Sequence, residues 1–398
     1  MGRGEKAAIQ RMVAPTAGHL IVKTQLKFLL LEPFFGGSHR EFARGLVSYS
    51  RHQIDLVTLP ARFWKWRMRG AALYFIRKIP SLKSYDGMLT TGLMSLSDFK
   101  ALSKGPCPPT LTYFHETQLT YPLAPGEHMD FQFGFTDITS ALAADRILFN
   151  SRTHRDAFFL RLPGFLKMMP EYRPLWLVEK IRAKADVLYP GCRFLADGLA
   201  GADAPREFPP LIIWNHRWEF DKNPEQFFEA LDAVLANGAE FHLALLGENF
   251  QAVPKAFGSA RERYGKRIVQ YGYVQSREEY IQWLQRGAIV ISTARQENFG
   301  IAVVEAIRFG CVPLLPDRLA YPEIIPPQFH SMVLYEDTGD LVQKLTRLIH
   351  HYGELQELRS RLSTHMAQFA WQNLIDRYDE ELERLVRRTF VRRHTADS

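Results

Sequence analysis

Short apolar runs recur along the chain, spaced so that a helix fits between each pair. The first, residues 26–32, is nearly continuous and ends on Glu32, which predicts a strand buried on both faces. Gly36-Gly37-Ser38-His39 forms a loop into an amphipathic stretch over residues 40–49. Runs at 54–59, 85–90, 110–114, 146–149 and 185–189 continue the alternation. Around Pro190-Gly191, and again through residues 198–210, Gly, Ala, Asp and Pro dominate, which predicts an interdomain linker at 193–208. A second alternation follows, with strands at 211–214, 241–246, 268–271, 288–292 and 312–315 and helices at 224–237, 277–286 and 300–309.

This order predicts two α/β domains, residues 26–192 and 209–368, each a mainly parallel doubly wound sheet. An amphipathic stretch at 369–390 is expected to cross back to the first domain, leaving a tail at 391–398. Ligands of such sheets bind beyond the carboxyl ends of the strands, so two facing domains place the chemistry in the cleft between them.

Composition supports the division: 398 residues that are 46% hydrophobic exceed what one core organises. No run approaches the roughly 18 apolar residues that span a bilayer. Residues 1–25 carry Arg3, Lys6 and Arg11 without the apolar centre of a secretory signal, and are expected to form a flexible basic arm. Cys107, Cys192 and Cys311 are too scattered for a disulfide framework or a metal pattern, so a reducing cytoplasm is the expected location. Fifty Lys and Arg against 43 Asp and Glu give +7, which suits a polyanionic partner and equally suits a mildly basic solvated surface.

The most informative segment runs from Ser292 to Ala306, a strand end, a polar turn and a helix. With Gly300 near the helix start, the N–H groups of Asn298, Phe299, Gly300 and their successors face whatever fills the turn, and the helix end favours an anion such as a diphosphate. Glu297 and Glu305 stand eight residues apart, so one carboxylate can hold a sugar hydroxyl and the other a ribose diol. Two Glu that merely complement the helix dipole and a solvated face would give the same pattern. Upstream, Arg217 and Lys222 occupy a loop between a strand and a helix opened by Asn223-Pro224. A fork and a point charge suit a diphosphate whose charge grows as its bond to the sugar breaks, and ion pairs to Glu219 or Asp221 are the alternative.

Together these segments resemble the retaining GT-B glycosyltransferases of the family that includes sucrose synthases and bacterial mannosyltransferases. The resemblance implies two facing Rossmann-like domains with a C-terminal crossover helix, Arg217 and Lys222 on the donor diphosphate, and Glu297 and Glu305 on donor sugar and ribose. It also implies that Gly272 and Val274 hold the base, that Gly36 and Gly37 form the loop facing the donor, and that His115 faces the donor sugar. Retention through the departing diphosphate itself, which accepts the incoming hydroxyl's proton, requires neither metal nor cofactor beyond the donor.

The wording of the first domain narrows the resemblance. Glu32-Pro33-Phe34-Phe35-Gly36-Gly37-Ser38-His39, Trp64-Lys65-Trp66-Arg67, Tyr113-Phe114-His115-Glu116-Thr117-Gln118-Leu119 and Asp130-Phe131-Gln132-Phe133-Gly134 are similar to the tRNA-queuosine mannosyltransferase family. That resemblance implies GDP-mannose as donor and queuosine at the wobble position of tRNA-Asp as acceptor. His39, Trp64, Lys65, Trp66, Arg67, Glu116 and Gln118 are then candidates for the acceptor side, since interleaved cations and aromatics neutralise phosphates and stack unpaired bases. Three rivals stand beside it: a GT-B enzyme using another nucleotide sugar on a lipid, polysaccharide or small molecule, a carboxylate-pair glycosidase, and a non-catalytic RNA-binding protein of this fold. Glycosidase carboxyls sit about 5 to 9.5 Å apart across one bond, which Glu297 and Glu305 match poorly.

Overall fold

The computed structural model describes residues 25–396 except 124, 125, 127, 195–207 and 248–254. The expected basic arm, apart from residue 25, and most of the expected linker lie outside the described residues.

The first half runs β1 (Lys27–Phe35), α1 (Gly37–Tyr49), β2 (Gln53–Pro60), α2 (Trp64–Lys78), β3 (Gly87–Thr91), α3 (Leu96–Leu102), β4 (Thr110–Phe114), α4 (Phe131–Ala143), β5 (Arg146–Phe149), α5 (Arg152–Lys167), α6 (Leu177–Arg182) and β6 (Ala185–Val187). Its strands are all parallel, in the order β2-β1-β3-β4-β5-β6. The apolar run of β1 serves both faces of this sheet. Leu29 and Leu31 join a core with Phe75, Phe114 and Phe158, while Phe28 and Leu30 pack on the opposite face with Phe42 and Leu46.

The second half contains β7 (Leu211–Trp214), α7 (Pro224–Ala236), β8 (His242–Leu245), α8 (Lys255–Tyr264), β9 (Ile268–Tyr271), α9 (Arg277–Arg286), β10 (Ile289–Ile291), α10 (Ile301–Arg308), β11 (Val312–Pro316) and β12 (Leu334–Tyr335). Its order is β12-β11-β10-β7-β8-β9, again parallel throughout. Strand β12 was not expected from the pattern, because two residues carry no periodicity.

Each sheet reverses direction beside its first strand, between β1 and β3 and between β7 and β10. The loops after β1, β7 and β10 therefore open at the two switch points, where ligands of such sheets bind. They carry Gly36-Gly37, Arg217 with Lys222, and Glu297.

The closing helix, Trp371–Ala396, returns to the first sheet and continues six residues beyond the crossover bounds expected from the sequence. Backbone bonds Cys192 N–H to Phe369 O (2.7 Å) and Trp371 N–H to Cys192 O (3.1 Å) fix the crossing. Beyond it, Leu374, Tyr378, Leu382 and Leu385 complete the core under α1, so the last element of the chain finishes the first domain.

Candidate donor and transfer site

The loop after β7 presents Arg217 and Lys222 from a short turn whose last residue, Asn223, holds φ at +53° before Pro224 opens α7. Asn223 does not cap with its side chain; its Nδ2 donates instead to Gln226 Oε1 at 2.8 Å. Thr293 Oγ1 donates to the carbonyls of Lys222 and Asn223, and Arg295 N–H to that of Asp221, so this loop is tied to the loop after β10.

Lys222 Nζ is buried and donates to Gln296 O (2.8 Å), with Asp221 Oδ2 at 3.2 Å and Glu297 Oε2 at 3.3 Å. Burial opposes its charge, but Glu297 and Asp221 together raise its pKa. Burial likewise works against the Glu297 carboxylate, and Lys222 outweighs it, so Glu297 stays ionised below the usual range. His216 behind them is pushed down to about 4 by burial and by Lys222, and its Nε2 lies 3.3 Å from Ile291 O, so the neutral ring donates there.

Arg217 differs from Lys222: its side chain stays 43% exposed, and its Nη1 pairs with Glu219 at 3.1 Å. The ion pair that was the alternative to an anion site is thus present, and the fork still faces the cleft. Desolvation opposes its charge, while Glu219, Tyr121, Asp221 and Glu116 hold the proton more firmly. Tyr121 and Glu116 belong to the first domain, so the cation lies between the two halves.

Gly300 stands at φ +93° just before α10, a conformation that favours glycine. Phe299 departs from the expected donor role in part. Its ring is buried against Phe369 and Tyr189, and its N–H reaches Glu297 Oε1 at 3.5 Å, so only its backbone belongs to the loop. Asn298 Nδ2 crosses the cleft to donate to His115 O at 3.0 Å. Glu305 is buried on α10 and is held by Arg277 Nη2 and by Tyr280 OH at 3.4 Å, so a ligand's diol would share or displace these partners. Gly272, at φ +105°, and buried Val274 follow β9.

Across the cleft, Gly36 lies so close to Ala61 that a Cβ would meet Ala61 Cβ at 2.3 Å, and Gly37 takes φ +48° to begin α1. His39, on the first turn of α1, is buried with Nδ1 3.2 Å from Glu32 Oε1. Burial works against its charge, and the Glu32 carboxylate more than offsets this, so its pKa rises. The His115 ring lies 4.1 Å away at 37°, and burial beside His39 drives it well below its ordinary value. His115 Nε2 is buried with no hydrogen-bond partner among the described residues. Ligand atoms of Glu32, His39 and His115 lie within 4.8 Å of one another.

Glu32 is not among the site residues expected from the sequence. A carboxylate with no exposed surface inside an apolar strand must be paired, which is the signal that could have found it. Arg277 and Tyr280, 28 and 25 residues from Glu305, left no such signal.

Glu116 and Gln118 are half-buried on the loop after His115. Gln118 N–H donates to Asp137 Oδ2 of α4 at 2.5 Å, and burial pushes Asp137 up to about 8. Because the folded protein then holds this proton more tightly than the unfolded chain, stability falls as pH rises from about 4 to about 8. Asp137→Asn keeps an acceptor without the ionisation, so it should flatten that slope and stabilise the protein at pH 8. Urea unfolding of both proteins at pH 5 and 8 checks this, and parallel pH dependences would contradict it.

The four acceptor candidates of α2 separate. Trp64 packs on Phe133 at 5.2 Å, and Arg67 Nη2 donates to Pro60 O at 3.3 Å, so both anchor the helix. Lys65 and Trp66 are exposed, Trp66 by 77%.

Residues 27–192 match the family described as tRNA-queuosine alpha-mannosyltransferase N-terminal, and residues 202–368 match glycosyl transferases group 1. The chain is 36% identical over 328 residues to the tRNA-queuosine alpha-mannosyltransferase of Drosophila melanogaster, covering 80% of this chain and 85% of that relative. It is 24% identical over 186 residues to the GDP-mannose:cellobiosyl-diphosphopolyprenol alpha-mannosyltransferase of Xanthomonas campestris, covering 46% and 48%. Among solved structures, sucrose-phosphate synthase from Thermosynechococcus elongatus superposes with a TM-score of 0.67 at 14% identity, over 92% of this chain and 100% of that one. The catalytic domain of starch synthase IV from Arabidopsis thaliana, bound to ADP and acarbose, gives 0.62 at 13% identity over 91% and 99%. These likenesses show the fold, which is GT-B.

Proposed function

The chain belongs to the tRNA-queuosine alpha-mannosyltransferase family and is a glycosyltransferase, and we propose that it moves mannose from GDP-mannose to queuosine at the wobble position of tRNA-Asp. The observation that carries this reading is the convergence across one cleft of Arg217, Lys222 and Glu297 with His39 and His115, closed by the Asn298 to His115 bond.

In this scheme Arg217, Lys222 and the N–H groups at the start of α10 hold the diphosphate, Glu297 and Glu305 take hydroxyls of sugar and ribose, and Gly272 and Val274 border the base. The neutral His115 offers Nε2 to a donor-sugar hydroxyl. The anomeric C–O bond to phosphate breaks, the queuosine diol oxygen bonds to the same face, and its proton passes to the departing phosphate oxygen. Positive charge from Arg217 and Lys222 does the work that a metal would do, so no metal or further cofactor is proposed. Glu116, Gln118 and Lys65 lie on the acceptor side. No helix among the described residues is long and apolar enough to cross a membrane, and a tRNA acceptor suits a cytoplasmic enzyme.

The test offers GDP-mannose labelled in the sugar to two tRNA preparations, with and without queuosine. Label is expected only in the queuosine-containing RNA. Equal labelling of both, or transfer from UDP-glucose in preference, would overturn the assignment.

A further inference from the structure

Seventeen large apolar side chains are exposed among the described residues, and thirteen of them lie between Phe63 and Trp176. Five of them mark a track over adjoining helices, from Trp66 on α2 through Phe131 at the start of α4 to Met168, Tyr172 and Trp176 between α5 and α6. Ring contacts join α2 to α4 and α4 to α5, since Trp64 meets Phe133 at 5.2 Å and Phe131 meets Phe165 at 6.0 Å.

The far end of the track has no role in the site. Tyr172 is 86% exposed and Trp176 60%. Tyr172 also holds φ at +49°, as Phe63 does at +57° near the other end, and bulky aromatics are rare in that conformation. Cations accompany the rings. Lys167, Arg173 and Lys180 are exposed beside Tyr172 and Trp176, and the Lys180 ammonium sits 4.8 Å from the Trp176 ring centre. Of the two nearby carboxylates, Glu179 is paired with Arg182 at 3.4 Å and Glu171 is exposed. Rings bare to solvent beside an excess of cations suit a polyanion with stackable bases better than an apolar protein face.

Position supports the same partner. Helix α5 starts at the cleft, where Arg152 meets Glu323 of the second domain at 3.2 Å, and its sixteen residues reach roughly 24 Å outward at about 1.5 Å per residue. We propose that the surface of Met168, Tyr172, Arg173, Trp176 and Lys180 is a second RNA-binding site, which holds the acceptor RNA outside the loop that enters the cleft. The proposal rests on the acceptor being RNA. The rings stack on exposed bases or riboses, and the cations neutralise backbone phosphates.

The test compares the wild type with Tyr172→Ala/Trp176→Ala and with Lys167→Ala/Lys180→Ala. Binding of an unmodified, fluorescently labelled tRNA transcript is measured by anisotropy across a salt series, and donor hydrolysis is followed in the absence of RNA. The aromatic pair should weaken RNA binding at least about tenfold. The lysine pair should lower the slope of log affinity against log salt by about 1 to 2. Donor hydrolysis should stay unchanged in both. Since binding is read without transfer, a wild type that binds this RNA but never glycosylates queuosine-containing tRNA defeats the proposed acceptor and leaves the surface standing. Unchanged affinity and salt slope in both variants would overturn the surface, as would loss of a concentration-dependent dimer in sedimentation with RNA binding intact.

Discussion

Alanine at both Arg217 and Lys222 is expected to lower kcat by at least about 10³-fold, since removing a single preorganised donor from a developing anion already costs about 10² to 10³. The effect should fall on kcat more than on KM, because the diphosphate gains charge only as its bond to the sugar breaks. Lys222 also neutralises Asp221 and Glu297, so its loss strands two carboxylates and disturbs the loop as well as the chemistry. Arg217→Ala alone is the cleaner variant. Its side chain is 43% exposed and its loss strands one carboxylate, Glu219, so folding should suffer less than with Lys222 while kcat falls by about 10². Arg217→Lys should recover only part of the loss, because a point charge replaces a fork. Wild-type turnover with alanine at both positions would remove these residues from the transition state.

Trp371→Ala is expected to destabilise the protein by about 3 to 5 kcal/mol, the range for truncating a buried large aromatic. Trp371 is fully buried where the chain re-enters the first domain, facing Phe42 at 5.8 Å and Tyr378 at 5.3 Å. Gly45 and Gly191 leave room for it: a Cβ on Gly45 would meet Trp371 Nε1 at 1.9 Å, and one on Gly191 would meet its Cδ2 at 2.2 Å. The space left by alanine therefore adjoins two residues that cannot fill it. Urea unfolding gives the loss directly. Gly45→Ala should destabilise by a related route, forcing the ring off its seat, and a Trp371→Ala protein of wild-type stability would show that the crossing is anchored elsewhere.

The strands were legible in the sequence because parallel strands covered on both faces are largely apolar, as the Phe28–Leu31 run of β1 and all of β10 are. The candidate donor residues could be located for a related reason, since Arg217, Lys222, Glu297 and Gly300 stand within nine residues of the ends of strands already placed. What depends on distant partners was not legible. Helix α2 hides its buried face of Met68, Ala71, Ala72 and Phe75 among exposed Trp66, Leu73 and Tyr74, so the apolar stripe is blurred. For the same reason Trp64 and Trp66 looked alike in sequence, although one packs on Phe133 and the other faces solvent. The charge state of His39 depends on Glu32, seven residues back, and that of His115 on its burial beside His39. Neither follows from spacing.

These two histidines sharpen the account of transfer. Glu32 raises the pKa of His39 while burial beside His39 lowers that of His115, so His115 is the ring more readily kept neutral to offer its free nitrogen to the sugar. Glu305 is held by Arg277 and Tyr280 before any ligand arrives, so ribose would meet a carboxylate already oriented.

The most direct test is mass analysis of the nucleosides of queuosine-containing tRNA-Asp after incubation with the protein and GDP-mannose. The account predicts that queuosine is replaced by its hexosylated form, and that this product is absent when Arg217 is alanine. Queuosine recovered unmodified from a reaction in which the protein visibly hydrolyses GDP-mannose would contradict it.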